Sequence, residues 1–156
     1  MKSCITLSLV PSLRGGPWVL WDELSAGIRE AAKLGFHAVE LFTDGPNAGK
    51  DSELKNLLEE TGLALGAVGT GAGKVLHGLT LTDSDHRVRE KAISFVREMI
   101  NFGAKFGAPA IIGSMQGMHD GKVSRDQAIL WLGEALEILG EHAKDQGVTL
   151  IYEPLN

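Results

Sequence analysis

Cysteine is nearly missing: Cys4 stands alone in 156 residues, so no disulfide can close within the chain and a reducing compartment is the expected setting. In the apolar run it occupies, this thiol is expected to be a small buried side chain rather than a nucleophile. Long hydrophobic runs are missing as well. The opening Met1-Lys2-Ser3-Cys4-Ile5-Thr6-Leu7-Ser8-Leu9-Val10 is too short and too interrupted by hydroxyls to be the apolar centre of a secretion signal. No later stretch approaches the roughly 18 unbroken apolar residues of a membrane span, and a cytoplasmic location is expected. Nor is there a block of Lys and Arg. Against 20 acidic side chains the 15 basic ones leave a formal charge of −5, which argues against a broad nucleic-acid footprint. What remains is 44% apolar and 22% charged, an ordinary globular composition of a length that buries one core.

The most informative feature present is a recurring phrase: a helix-like segment, a glycine, then a short apolar run. It reads Lys33-Leu34-Gly35 before Phe36-His37-Ala38-Val39-Glu40-Leu41-Phe42, and Glu60-Thr61-Gly62 before Leu63-Ala64-Leu65-Gly66-Ala67-Val68. It returns as Lys105-Phe106-Gly107 before Ala108-Pro109-Ala110-Ile111-Ile112, and as Asp145-Gln146-Gly147 before Val148-Thr149-Leu150-Ile151-Tyr152. Glycine just past a helix end adopts the left-handed conformation that closes the last turn and lets the chain reverse into a strand. The segments ahead of these glycines carry helical stripes: Leu24, Ile28, Ala31 and Leu34; Leu54, Leu57, Leu58 and Thr61; Val88, Ala92, Phe95, Met99, Phe102 and Phe106; Ala128, Leu132, Ala135, Leu136, Leu139 and Ala143. Ser124 and Gln127 have capping-box spacing at the start of the last. Asp51 or Ser52, and Asp83 or Ser84, are the caps expected for the two before it.

Strand and helix alternate throughout, with no tandem strands to suggest a hairpin, and the strands are apolar runs of the kind a helix-covered parallel sheet requires. The expected class is α/β, a parallel (β/α)8 barrel of which residues 1–156 hold the first four βα units and strand 5, all within one domain. A closed barrel normally takes about 250 residues, so a shortened or clipped chain is expected rather than a natural half barrel, whose open apolar edge would invite aggregation.

In parallel α/β sheets ligands gather at the C-terminal ends of the strands. There the sequence puts Pro11 to Pro17 with Trp18 beyond, Thr43 to Asn47, Gly69 to Lys74 followed by a long loop with His77, Gly113 to Gly117 with His119 and Asp120 further out, and Glu153-Pro154-Leu155-Asn156. Thr149, Ile151 and Glu153 share one face of strand 5. A carboxylate is costly to bury against helices, so an inward position at the barrel mouth is expected for Glu153, where it could bind a hard divalent cation or act as a base. The plainer alternative is a solvated glutamate at a strand end. Glu40 on strand 2 poses the same choice, between an acidic rim to the pocket and a structural carboxylate.

The glycine-rich stretch Gly66 to Val75 fails as a phosphate loop. The pattern G-x-x-x-x-G-K-[ST] needs glycine at position 68 and a hydroxyl at 75, which are Val68 and Val75. Close backbone approach to a polar substrate, with Lys74 as an anion contact, is the alternative. No two of the five histidines form an H-x-x-x-H pair. His86 and His142 are expected on helix surfaces, His37 at the wrong end of its strand, and His77 and His119 in loops as hydrogen-bonding surface residues. Trp18, Trp21 and Trp131 fit core or helix packing, and Trp18 could also wall a sugar pocket by stacking.

Taken together, Ile5-Thr6-Leu7-Ser8-Leu9, Leu34-Gly35-Phe36-His37-Ala38-Val39-Glu40-Leu41 and Leu81-Thr82-Asp83-Ser84-Asp85 leading to Arg87-Val88-Arg89 resemble the xylose isomerase-like sugar phosphate isomerase/epimerase family. Gly113-Ser114-Met115-Gln116-Gly117 and Ile151-Tyr152-Glu153-Pro154-Leu155-Asn156 extend the resemblance over essentially the whole chain. It implies a metal-dependent isomerase or epimerase of a ketose or sugar phosphate, similar to the tagatose 3-epimerase-like and hydroxypyruvate isomerase-like members. It also implies one divalent cation, manganese first, with magnesium, cobalt or zinc as alternatives. Of the family's ligands, a glutamate on strand 5 followed by Asp, His and Glu from later strands, only the first has a counterpart here, Glu153, which the resemblance makes both metal ligand and acid/base group. Thr70 and Gly113 would line the sugar pocket, with Glu40 and Trp18. The expected partner is a small sugar, with neither nucleic acid nor membrane and with room for a homo-oligomer, and the chain alone is not expected to turn over.

Two other classes compete. An apurinic endonuclease-type metal hydrolase on the same barrel would show histidines at the ends of strands 3 and 4, where Thr70 and Ser114 stand. A non-catalytic half-barrel module would form a stable dimer without metal.

Overall fold

The computed structural model describes residues 1–16, 18–21, 23–47, 49–119 and 121–155; Pro17, Asp120 and Asn156, singled out above, lie outside the described residues. Among the described residues five strands and five α-helices follow in the order β1 (Cys4–Ser8), α1 (Leu24–Lys33), β2 (Ala38–Phe42), α2 (Asp51–Thr61), β3 (Ala64–Gly69), α3 (Ala72–His77), α4 (His86–Ala104), β4 (Ala110–Ile112), α5 (Arg125–Asp145) and β5 (Leu150–Tyr152), alternating except where two helices, α3 and α4, join β3 to β4. Every strand pairing is parallel and the strand order is β1-β2-β3-β4-β5. A doubly wound sheet reverses its order at a switch point. Here each strand joins the one before it, as in a parallel barrel.

The four glycines read as helix closers all take the left-handed backbone, with φ of +80° at Gly35, +71° at Gly62, +67° at Gly107 and +73° at Gly147. Their effect is to turn each helix back under the sheet. Leu7, Val39, Leu41, Val68, Ala110 and Ile112 then meet Ile28, Ala31, Leu54, Val96, Met99, Ile100, Leu139 and Ala143 in one buried cluster between sheet and helices. The stripes on α2 and α5 face this cluster as read. On α4 the buried set shifts to include Val96, Ile100 and Gly103, and Leu34, counted in the first stripe, is 56% exposed because α1 has already ended there.

Three local readings need correction. Lys50, not Asp51 or Ser52, occupies the N-cap of α2, and Asp51 sits inside the first turn, where its charge suits the helix dipole and its carboxylate pairs with Lys105 at 2.7 Å. Asp85, not Asp83 or Ser84, caps α4: its Oδ1 accepts from the Arg87 amide, while Asp83 Oδ1 accepts from the Asp85 amide. Bonded to Arg87, the Asp85 carboxyl falls to about 2. Ser124 does cap α5, accepting from the Gln127 amide at 3.2 Å. Finally, the segment after β3 is not all loop, since α3 forms within it and His77 is its last residue.

Cys4, Thr6, Glu40, Ile111 and Ile151 project from the opposite face of the sheet, away from the buried cluster with the helices. Cys4 is exposed there rather than buried as expected, because alternation along β1 sends Leu7 into the core and Cys4 to the open side. Its sulfur nevertheless lies against the backbone of Gly66, where an added Cβ would stand 2.8 Å away. Partial burial, with the negative charge of Glu40 adding to it, pushes the thiol above its ordinary value, which suits a structural thiol and not a nucleophile.

A bulge on β3 decides how the site is built. Val39 lies opposite Leu65, but Glu40 lies opposite Ala67, so Gly66 is the extra residue. In unbulged register Val68 would oppose Phe42 on the open face. The bulge instead buries Val68 completely in the core, a gain of about 1.5–3 kcal/mol, and sets Gly69 opposite Phe42.

Candidate functional site

Glu40 and Glu153 converge on the open face near the C-terminal ends of the strands. At Gly69 an added Cβ would stand 3.2 Å from Glu40 Oε1, and at Gly113 one would stand 3.3 Å from Glu153 Oε2. The two carboxylates thus lie over the glycines that follow or end β3 and β4, and any larger residue there would displace them. Thr6, directly opposite Glu40 in the β1–β2 register, donates its hydroxyl to Glu40 Oε2 at 3.3 Å. Burial lifts the Glu40 carboxyl above its ordinary value; the Thr6 hydrogen bond pulls the other way, and the charge of Glu153 adds to the rise. Glu153 itself is exposed, its amide donates to the Ile112 carbonyl at 2.9 Å, and its carboxylate makes no hydrogen bond or ion pair among the described residues.

The raised Glu40 value fixes a pH dependence. Below 4.5, the ordinary value, the group is protonated in folded and unfolded chain alike. As pH rises past that point the unfolded chain releases its proton first, so stability falls until the folded-state value is passed. Glu40→Gln keeps an acceptor for Thr6 and removes the buried charge. Denaturant unfolding at pH 4 and pH 7 should show the variant more stable at pH 7 and nearly matched at pH 4; the same difference at both would show that the charge is not responsible.

Around the two carboxylates the loops form an apolar wall. Trp18 stacks on Phe42 with ring centroids 4.2 Å apart, and Trp21 meets Trp18 edge-on at 5.4 Å while donating its indole N–H to the Trp18 carbonyl. Val10, Leu13 and Ala72 complete this small cluster at the end of β1, β2 and β3. Thr70 is placed differently from a pocket-lining residue: it is fully buried, and both its amide and its hydroxyl donate to the Ile111 carbonyl, at 3.2 and 2.8 Å, tying β3 to β4. His77 Nε2 lies 3.2 Å from the Asp44 carbonyl, His142 Nε2 lies 2.8 Å from Asn101 Oδ1, and His86 pairs with Glu90 on the surface of α4.

One residue with a role here was missed in the sequence. Gln116 accepts from the Tyr152 hydroxyl at 2.5 Å and donates to the Leu155 carbonyl at 2.7 Å. Its amide therefore grips the β5 segment on both sides of Glu153. The signal for it was weak but present: a glutamine three residues past Gly113, in the turn that ends strand 4.

The divalent cation implied by the resemblance meets only part of a site. Hard cations such as magnesium and calcium take six or more oxygen ligands, and Glu153 offers one uncommitted carboxylate with Glu40 behind it. Among the described residues no group of three or more His, Cys, Asp or Glu side chains could hold a metal ion. Among them, too, no helix is long and apolar enough to cross a membrane.

A parallel sheet in sequential order, helices on one face and carboxylates at the C-terminal mouth of the other, defines part of a parallel (β/α)8 barrel. The family model described as Xylose isomerase-like TIM barrel matches residues 28–156, and the chain belongs to that family. No curated protein matches the sequence. Among solved structures, 3-keto-D-glucoside 4-epimerase from E. coli aligns with all of this chain and 57% of its own, at TM-score 0.72 and 16% identity. D-allulose 3-epimerase from Methylomonas sp., in complex with D-allulose, aligns with all of this chain and 53% of its own, at TM-score 0.71 and 21% identity. AP endonuclease, family 2, from Brucella melitensis aligns with all of this chain and 56% of its own, at TM-score 0.72 and 18% identity. Identities this low show a shared fold, and the chain spans about half the length of these structures.

Proposed function

We propose that this chain is the N-terminal part of a single barrel domain that isomerises or epimerises a ketose or a related sugar by proton transfer, with Glu153 as the acid/base group and a ligand of one divalent cation. The observation that carries this reading is the convergence of Glu153 and Glu40 at the mouth of the sheet, under an aromatic wall. Glu153, exposed and uncommitted, takes a proton from the carbon beside a ketose carbonyl. Glu40, fixed by Thr6, holds negative charge near it and steers it. Phe42 and Trp18 offer the apolar face on which a sugar ring stacks. A divalent cation, manganese by the resemblance, would supply polarisation of the substrate's oxygens; the described residues form only one corner of its site. The family's sugar epimerases make a small sugar the expected partner.

The hydrolase alternative lacks its chemistry at the corresponding positions, where Thr70 is buried in the sheet and Ser114 Oγ donates to the Gly71 carbonyl. Calorimetric titration with Mn2+, beside assays on ketohexoses and binding to an abasic DNA duplex at moderate salt, separates the two. The expected result for this chain is weak Mn2+ binding, no net epimerisation and no affinity for the duplex. Duplex binding without Mn2+ binding would overturn the proposal.

A further inference from the structure

We propose that the cavity between the C-terminal ends of β1 and β2 and the first turns of α1 and α2 binds an aliphatic diamine in its diammonium form, with Glu23, Asp44 and Glu53 facing the charges and the Ser8 hydroxyl accepting from one ammonium group. This goes beyond the sugar reading and does not rest on it, since none of Trp18, Glu40, Phe42 and Glu153 is among the described residues that line the cavity. Ser8 ends β1, Asp44 follows β2, Glu23 is the N-cap of α1 and Glu53 lies in the first turn of α2. The volume they enclose, about 370 Å3, falls in the range of small-molecule sites, roughly 300–1,000 Å3.

Ser8 is 2% exposed, and its buried Oγ makes no hydrogen bond among the described residues, a costly state for a polar atom unless a ligand completes it. The cavity that Ser8 lines is rich in acceptors and poor in donors. Glu23, Asp44 and Glu53 have no hydrogen bond or ion pair to their carboxylates among the described residues, whereas Asp51, in the same turn as Glu53, is paired with Lys105. No Lys, Arg or His stands in the described lining to neutralise the three. Two donors that line it are already committed, the Trp21 indole N–H to the Trp18 carbonyl and the Thr43 hydroxyl to the Gly45 carbonyl. A matching ligand brings both the positive charge and the donors, and an ammonium group has three N–H and no acceptor.

Helix dipoles account for an acid at the start of α1 and of α2. They account neither for Asp44, which lies in the loop after β2, nor for the Ser8 hydroxyl. A metal ion is the poorer match, because among the described residues no group of three or more acidic, His or Cys side chains could hold one; the negative charges are spread over the cavity and not gathered at a point. Carbon lines it as well, from Leu9, Pro11 and Leu24. A Cβ placed at Gly49 would stand 3.4 Å from Leu24 Cδ2 and 3.6 Å from Glu53 Oε2, so this carboxylate sits next to aliphatic surface. Two charges joined by a methylene chain match separated carboxylates with carbon beside them, and the Trp21 ring adds a surface that attracts a cation.

The test titrates 1,4-diaminobutane and 1-aminobutane by calorimetry, at low and matched ionic strength, into the chain and into three variant forms. The diamine is expected to bind about five-fold or more tighter than the monoamine, and about five-fold or more weaker to Asp44→Asn/Glu53→Gln, which turns two charge-assisted contacts into neutral ones. Ser8→Ala is expected to weaken the diamine about three-fold or more without destabilising the chain, because it removes an acceptor that the ligand uses and the protein does not. Glu134→Gln/Glu137→Gln, two exposed carboxylates on α5, is expected to leave the affinity unchanged. Diamine bound equally by the chain and by either of the first two variants overturns the proposal. So does a monoamine held as tightly as the diamine, or an equal loss in the α5 variant, which is the mark of general acidity. Asp44 and Glu53 are exposed; should their double variant nevertheless lose its fold, Glu23→Gln gives the same readout.

Discussion

Glu153→Gln is expected to lower the affinity of the chain for Mn2+ by about ten-fold or more, from a dissociation constant already weak, on the order of 10⁻⁴ to 10⁻³ M. Glutamine keeps the shape and hydrogen-bonding capacity of the side chain but removes the charge a hard cation requires. Because Glu153 is exposed and its carboxylate has no protein partner, the thermal midpoint should stay where it was, within the range of neutral surface changes. If Glu153 has the proton-transfer role proposed for it, the same substitution in a completed barrel lowers turnover by about 10²- to 10⁴-fold. Glu40→Gln is the informative control. Acting through its charge and not by contact, it should weaken Mn2+ binding less. Calorimetry on the three forms checks the ranking; Mn2+ binding that survives Glu153→Gln unchanged removes the basis for assigning this residue to the site.

Gly117→Ala is expected to be the most destabilising single-atom addition at the mouth. Gly117 has φ +80° and ψ −158°, a region open essentially to glycine alone, where another residue costs about 1–3 kcal/mol. An added Cβ would also collide with Thr82 Oγ1 and approach the Thr80 side chain. Thr82 is 4% exposed and donates to the Met118 carbonyl at 3.2 Å, so it has little room to yield without losing that bond. Together these come to about 3 kcal/mol or more, which for a chain of this size lowers the unfolding temperature by roughly 6–12 °C. A thermal scan showing a change of a degree or less would mean that the turn after β4 relaxes at little cost.

The architecture was legible because one local device is used four times. Gly35, Gly62, Gly107 and Gly147 each carry the same physical requirement, a left-handed residue between helix and strand, and nothing distant is needed to recognise it. What the sequence did not yield were features set by competition among near-equals or by register. Asp83, Ser84 and Asp85 can all cap a helix, and the choice of Asp85 rests on where Asp83 turns the backbone. The six residues of α3 are too few for a hydrophobic period to show. The exposure of Cys4 follows from which face of β1 the helices cover, which composition alone does not tell.

The site divides in the same way. Glu153 and Glu40 could be singled out from position along their strands, since a charged side chain inside an apolar run, as at Glu40, or directly after one, as at Glu153, is conspicuous. Their relation to each other, the Thr6 hydroxyl across a separation of 34 residues and the Gln116 grip across 36 depend on pairing register and are invisible in a linear reading. Thr70 shows the converse: a hydroxyl at a strand end looked available to a ligand, yet cross-strand geometry commits it to the Ile111 carbonyl.

The neighbour-to-neighbour strand order also bears on how the molecule assembles. Since each of the five strands pairs with the one made next to it, and only the outer edge of β1 would wait for barrel closure, the sheet can grow in the direction of translation, each new βα unit settling on the one just made. At every stage of that growth the last strand presents a free row of amides and carbonyls, and in this chain that row belongs to β5. The strand beside the proposed catalytic carboxylate is therefore also the template on which any further strand would be laid.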